Sequence, residues 1–113
     1  MQEDSVNLAE ITSSTAGQAG VVWTLLGSSE LNANLVRFGV GGGVGEHVND
    51  EVDVIFIGVS GSGSVEVDGE VRALSSRTMV FVPREAKRSI QSTSEDFAYL
   101  SVHRRRGPLQ ISG

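Results

Sequence analysis

Short apolar runs separated by turn residues make up most of the chain. No window of about eleven residues places apolar side chains at helical spacing. Instead, runs rich in Val, Ile, Leu and Phe alternate with clusters of Gly, Ser, Asp and Asn about every 6 to 12 residues. About eight short strands fit this pattern, which predicts an all-β sandwich or barrel.

The pattern supports some of these strands more strongly than others. "DVIFIGV" (53–59) is the strongest, because it is apolar on both faces and so predicts a strand buried on both. "SVEVDGEVRAL" (64–74) alternates apolar and polar residues around Asp68-Gly69, which predicts a β-hairpin. The other predicted strands are 20–27, 34–40, 78–83 (ending at Pro83), 88–93 and 97–104, with turns at "GGGVG" (41–45) and "SGSG" (60–63).

The composition is that of one ordinary globular domain. The chain has 113 residues, 39% of them hydrophobic and 20% charged. We expect an N-terminal arm or edge strand over residues 1–19, a barrel over 20–106 and a C-terminal tail over 107–113. The chain lacks cysteine, an apolar run of the roughly 18–20 residues that span a bilayer, and a secretory signal at its acidic start. These features predict a cytoplasmic protein that does not contact membranes.

Charge is divided unevenly along the chain. The net charge is −5, which argues against nucleic-acid binding. Residues 1–70 contain eleven acidic residues against Arg37 alone, whereas residues 71–113 contain eight basic and three acidic residues. This asymmetry predicts pairing between early and late strands, or between subunits. A basic surface for an anionic partner is the alternative interpretation.

The segment "EHVNDEVD" (46–53) concentrates the polar chemistry of the chain. It packs one histidine, one asparagine and four carboxylates beside the glycine run at 41–45. Such a segment is either a metal site, the remainder of one, or a polar turn.

The order of strands and turns resembles the cupin family. "G-(x)5-H-x-N-(x)3-D" (Gly41, His47, Asn49, Asp53) is similar to the first cupin motif, G-(x)5-H-x-H-(x)3,4-E-(x)6-G. "RTMVFVPREAKRSI" is similar to the second, G-(x)5-P-x-G-(x)2-H-(x)3-N, with Pro83 at the proline. The resemblance covers residues 20–104 and implies a small double-stranded β-helix, also called a jelly-roll barrel.

The metal-binding part of the resemblance is incomplete. His47 is retained, whereas Asn49, Asp53 and Arg88 stand where the family has a histidine, a glutamate and a histidine. Seven residues separate Asp53 from Gly61 where the motif has six, so Glu51 is an alternative carboxylate. Arg77 and Glu85 replace the two glycines of the second motif.

These substitutions suggest that a cation is built into the site. Arginine is a permanently charged donor that cannot bind a metal, so Arg88 is expected to replace the metal and to pair with Asp53, with Asn49 in the same cluster. The pocket would then bind a small anionic or polar molecule, with Arg88 holding a carboxylate or phosphate. Alternatively, the pair only fills a vestigial site in a structural or regulatory protein.

A metal-dependent dioxygenase or isomerase is the other hypothesis. Its reduced ligand set would be His47, Asp53 and His103, which suits Mn, Fe, Ni or Zn. Tyr99 shares strand parity with Ser101 and His103, and it is either a phenol in the pocket or a core residue. His103 is likewise either a ligand or a histidine that is hydrogen-bonded at a strand end.

The strand 53–59 also bears on oligomeric state. Val54 and Phe56 have the opposite parity to Ile55 and Ile57, so both faces of the strand are apolar. One small barrel has one interior, and the second face needs cover. A homodimer formed by packing of sheet on sheet would provide it, and the N-terminal arm of the chain is the alternative.

Overall fold

The computed structural model describes residues 5–106, which form two antiparallel sheets and one short helix. The strand order is β1-β2-β9-β4-β7 in the five-stranded sheet and β3-β8-β5-β6 in the four-stranded sheet. This is a jelly-roll barrel, as predicted. The elements are α1 Leu8–Ser14, β1 Gly20–Thr24, β2 Leu31–Phe38, β3 Gly43–Val48, β4 Val54–Ser60, β5 Ser62–Val67, β6 Glu70–Ser75, β7 Met79–Val82, β8 Lys87–Ser92 and β9 Phe97–Arg104.

The core lies between the two sheets and follows the alternation of each strand. Along β4, Val54 and Phe56 are buried whereas Ile55 and Ile57 are partly exposed on the outer face. The buried apolar residues of the two inner faces form one cluster, which includes Val36, Val65, Leu74, Val82, Ile90, Phe97 and Tyr99. The side chains that point inward from β8 and β9 therefore share the interior with any cavity in the barrel.

The predicted hairpin is confirmed at β5 and β6. Val67 pairs with Glu70, and the two residues between them, Asp68 and Gly69, have φ angles of 49° and 86°. Two successive positive φ angles are the geometry of a type I′ turn, which Asp-Gly favours. The Asp68 carboxylate also accepts the backbone N–H of Lys87 (2.8 Å) and so ties the turn to β8.

The N-terminal segment, predicted as an arm or an edge strand, contains a helix instead of a strand. Residues 8–14 form a helix, in which the side chain of Asn7 caps the N-terminus by accepting the N–H of Glu10. The helix has seven residues, so it is too short to show periodicity in the sequence. It packs on β4 and covers part of the five-stranded sheet.

Strand β1 forms one edge of the five-stranded sheet. It pairs with β2 alone, and its register shifts between Val21 and Trp23. Such an irregularity discourages pairing of the edge with another chain. The half-buried Trp23, the one tryptophan of the chain, therefore lies on an edge strand.

The predicted turn at 41–45 is shorter than expected. Strand β3 already begins at Gly43, because this glycine lies directly against β8. A Cβ atom at this position would lie 2.0 Å from the carbonyl oxygen of Ile90.

No helix in residues 5–106 has the length and hydrophobicity to cross a membrane.

Two turns keep a backbone conformation typical of glycine, although the residue in that position is not glycine. Arg77 and Glu85, which replace the two glycines of the second cupin-like motif, have φ angles of 72° and 76°. Their backbone N–H groups donate to Gly58 O and Asn49 O. The substitutions therefore change the side chains and leave the path of the chain in place.

Restoring glycine at these two positions should stabilise the protein. A left-handed conformation costs a non-glycine residue about 1–2 kcal/mol, and the extra freedom of glycine in the unfolded chain offsets roughly 0.5–1 kcal/mol of the gain. We expect Arg77→Gly and Glu85→Gly each to raise the free energy of unfolding by about 0.5–1 kcal/mol in urea titrations. Gly69→Ala is the matched control, since it adds a Cβ in open space at a positive φ, and it should cost about 1 kcal/mol. A loss of stability in both glycine variants would contradict this account of the turns.

Candidate ligand site in the barrel

Five of the six predicted site residues line one cavity inside the barrel. The cavity has a volume of about 150 Å³, which suits a molecule of a few heavy atoms. Its floor is apolar, and its polar groups come from β3, β8, β9 and the segments that follow β3 and β9. The lining residues are Val44, His47, Asn49, Val54, Phe56, Arg88, Ile90, Tyr99, Ser101, His103 and Arg106.

Asp53 is not part of this site, which corrects the predicted pair with Arg88. It is exposed, and its Oδ1 accepts the backbone N–H of Arg84 at 2.8 Å. The reason is strand parity: Asp53 precedes the inward-facing Val54 and shares the outward side of Ile55. Its carboxylate therefore fixes the 83–85 turn from outside the barrel.

Arg88 is the most buried charged group of the cavity. Its residue is 2% exposed and occupies a central position in the four-stranded sheet, between His47 on β3 and Val67 on β5. Its Nε donates to Ala86 O (3.1 Å) and its Nη2 to Pro83 O (3.0 Å). The turn before β8 thus holds the guanidinium in place, and these two bonds leave other N–H donors of the group free for a ligand.

The charges around Arg88 do not neutralise it. Burial lowers the pKa of Arg88 from its ordinary value, and the positive charge of Arg106 lowers it further, while Asp68 acts in the opposite direction. The ion pairs within residues 5–106 are Arg72–Glu70 and Arg106–Glu51 (3.3 Å), so no described carboxylate lies within 4.0 Å of Arg88. Arginine remains protonated despite such shifts. The cavity therefore contains a cation that the described part of the protein leaves unpaired.

The two histidines are held in the same way. His47 Nδ1 lies 2.9 Å from Gly45 O and His103 Nδ1 lies 2.7 Å from Arg104 O. Because a carbonyl oxygen only accepts, each Nδ1 carries a proton, and in the neutral ring Nε2 is then an acceptor. His103 is buried and His47 exposed, so the first belongs to the wall of the cavity and the second to its rim.

Asn49 has a structural role in the loop after β3. Its Oδ1 accepts the N–H groups of Glu51 (2.8 Å) and Val52 (3.3 Å), which makes an Asx turn. The sequence placed Asn49 in the Arg88 cluster, but its oxygen instead accepts hydrogen bonds from backbone N–H groups. The amide nitrogen is the part of the side chain that remains for a ligand.

Tyr99 combines the two roles that the sequence left open. Its ring packs edge-on against Phe56, with centroids 5.4 Å apart, and also against Phe38 and Phe97. It is 2% exposed, yet it lines the cavity. Burial raises the pKa of Tyr99, so the phenol is neutral at ordinary pH and acts as a hydrogen-bonding group rather than a base.

Ser101 and Arg106 are additional lining residues that were not predicted. Ser101 shares the parity of Tyr99 and His103, and that signal was visible in the sequence. In the sequence Arg106 was counted only among the eight basic residues of 71–113. In the structure it pairs with Glu51, and Arg104 Nη2 donates to Glu51 O (3.0 Å), so late arginines do meet the acidic first half of the chain.

The donors of the cavity do not fit a divalent metal ion. The reduced set of His47, Asp53 and His103 is not assembled, because Asp53 faces outward. No group of three His, Asp or Glu side chains within residues 5–106 could hold a metal. Arg88 and Arg106 line the same space, and their charges oppose a cation.

Comparisons with known proteins identify the fold. No family model and no curated protein matches the chain. Among solved structures it is similar to KdgF from Halomonas sp., with a TM-score of 0.70 and 23% identity over 76% of this chain and 78% of the other. A cupin protein from Bacteroides fragilis matches with a TM-score of 0.67 and 21% identity over 99% and 90% of the two chains.

A third similar structure is a cupin-2 domain protein from Shewanella frigidimarina, with a TM-score of 0.69 and 16% identity over 88% of this chain and 94% of the other. At these identities the likeness concerns the backbone alone. It agrees with the two-sheet topology described above. This chain is a small all-β domain with the cupin fold.

Proposed function

We propose that this protein binds a small anionic ligand, a carboxylate or a phosphate, in the barrel cavity without the help of a metal. The observation that carries the proposal is the buried guanidinium of Arg88, which lines the cavity and has no carboxylate partner among the described residues. A buried, unpaired charge is costly to keep, and a bound anion would offset that cost. The protein would act in the cytoplasm as a binding module.

The other polar groups would select the ligand. Arg88 would take the anionic group on its free N–H donors, since a guanidinium pairs well with carboxylate and phosphate. His103 and His47 would accept hydrogen bonds from hydroxyl groups, and the neutral phenol of Tyr99 would bond to a polar atom near the floor. Arg106, which is exposed near the entrance, would attract anions to the cavity.

Replacement of Arg88 should weaken this binding. We expect Arg88→Lys to bind acetate, pyruvate or inorganic phosphate at least about tenfold more weakly than the wild-type protein, because the two-pronged guanidinium is lost although the charge remains. Asp53→Asn should leave affinity unchanged, because Asp53 lies outside the cavity. Nuclear magnetic resonance titrations at constant ionic strength would measure both.

Two results would contradict the proposal. One is equal affinity in the unchanged protein and Arg88→Lys, which would favour a vestigial pocket. The other is a near-stoichiometric metal in elemental analysis of untagged protein, with stabilisation by Mn, Fe(II), Ni or Zn. That result would favour a metal-dependent enzyme.

We also propose a homodimer formed through the outer face of the five-stranded sheet. Ile55 pairs with Phe81 and Ile57 with Met79, and these four side chains are 36–56% exposed. The patch continues onto β9, where Val102 and Leu100 pair with the same isoleucines. These side chains carry no charge, so the same apolar surface of a second copy of the chain can pack against them.

A charge in this patch should separate the subunits. We expect Phe81→Lys to convert a dimer into a folded monomer in sedimentation experiments. Val71→Lys on β6 is the matched control, because Val71 is 70% exposed on the other sheet and should leave the dimer intact. A monomeric starting protein, or a dimer that is insensitive to Phe81→Lys, would exclude this interface.

The buried phenol should also affect stability at high pH. Tyr99 is the one tyrosine of the chain, so ultraviolet absorbance follows its ionisation alone. Because burial raises the folded pKa above the unfolded value of about 10, the contribution of this phenol to stability should be constant below about pH 10 and be lost as the pH rises above it. Tyr99→Phe should remove the part of this decrease that the phenol causes, and a tyrosine that ionises near pH 10 in the folded protein would refute the account.

A further inference from the structure

A second cavity lies outside the barrel, under helix α1. It has a volume of about 330 Å³, within the usual range of ligand pockets, and it is separated from the barrel cavity by the five-stranded sheet. Arg37 has the opposite parity to Val36, which is part of the core, so the side chain of Arg37 belongs to the outer face. The lining includes Ala9, Thr12, Arg37, Val59, Ser60 and Asp96.

The residues around Arg37 explain why space remains beside it. In the sheet its neighbours are Gly20 on β1 and Ala98 on β9, and neither has a side chain large enough to fill the gap. Helix α1 covers the position from above. Arg37 as a whole residue is 4% exposed, yet it borders an open volume.

The guanidinium is only partly satisfied. Nη1 donates to Thr12 O and lies 3.4 Å from Thr15 Oγ1. Nε is buried and has no partner among the described residues. Within residues 5–106 no carboxylate pairs with Arg37 within 4.0 Å, so this part of the chain leaves its charge unpaired as well.

Asp96 adds a second kind of recognition to the same cavity. It is exposed, and its Oδ1 accepts the hydroxyl of Ser94 at 2.9 Å. The cavity therefore offers a cation and an anion that are not paired with each other. A ligand with an anionic group for Arg37 and a hydroxyl or amino donor for Asp96 would satisfy both.

We propose that this cavity binds a small organic carboxylate that carries a hydroxyl or amino group. Arg37 holds the carboxylate through Nη2, which makes no hydrogen bond to a described residue and is not enclosed as Nε is. Asp96 accepts the hydroxyl or amino hydrogen, and the short apolar chain lies against Ala9 and Val59. This site is independent of the one proposed inside the barrel, because the two use different arginines on different sheets, Arg88 inside the barrel and Arg37 outside it.

Nitrogen-15 resonance titrations can test the site directly, since the Nε–H of Arg37 belongs to the guanidinium that is proposed to hold the carboxylate. Lactate, alanine and propionate have three carbons each and serve as probes at constant ionic strength, with inorganic phosphate as the fourth. We expect lactate and alanine to shift the Arg37 Nε–H and the α1 amides saturably. Propionate, which lacks the donor for Asp96, should bind about tenfold more weakly.

Variants separate this site from the barrel. Arg37→Lys should weaken the binding of lactate and alanine at least about tenfold. Asp96→Ala should reduce their affinity to that of propionate while leaving the affinity for propionate unchanged, because a methyl side chain accepts no hydrogen bond. Arg88→Lys should have no effect on the Arg37 resonance. If Arg37→Lys does not fold, the wild-type protein and Asp96→Ala, which changes an exposed side chain, still decide the question.

Several outcomes would overturn the proposal. They are the absence of any saturable shift at Arg37, equal binding of phosphate and lactate, and an unchanged preference for lactate over propionate in Asp96→Ala. Loss of binding in Arg88→Lys but not in Arg37→Lys would assign the probes to the barrel cavity instead.

Discussion

Period-two alternation along the five-stranded sheet is the constraint on which the rest of the structure depends. Phe56 points into the barrel and Ile57 away from it, and the same division separates Val36 from Arg37 on β2. A slip of one residue in β2 would put a guanidinium into the core and a valine outside. Core, barrel cavity, apolar outer patch and α1 cavity are thus four results of one register.

Two arginines, one on each side of the barrel wall, are buried in a comparable way. Backbone carbonyls of the 83–86 turn hold Arg88, and a carbonyl of α1 holds Arg37. Carbonyl dipoles orient a cation and stabilise it partly, but they do not cancel its charge. Each group is therefore positioned before any ligand arrives, and positioning in advance lowers the entropy that binding costs. The stability lost by burying the charge is of the kind that functional sites commonly carry.

Local patterns predicted the fold and most of the barrel cavity, because strands, turns and parity are written in neighbouring residues. The position of Asp53 was wrong, since similarity to a motif does not fix the side of a strand, whereas the parity it shares with Ile55 does. Helix α1 was missed because seven residues and one Asn cap give little signal. The environment of Arg37 could not be predicted at all, because it depends on where that helix packs.

The one tryptophan and the one tyrosine lie in different parts of the fold, so each can be used as a spectroscopic probe of its own part. Trp23 lies on the edge strand β1, which is held by β2 alone, whereas Tyr99 lies among three phenylalanine rings in the interior. Fluorescence therefore follows the detachment of an edge, and tyrosine absorbance follows the opening of the core. Coincidence of the two signals would show that the edge and the interior unfold as one cooperative unit, whereas a gap between them would reveal a barrel that loses its outer strand first.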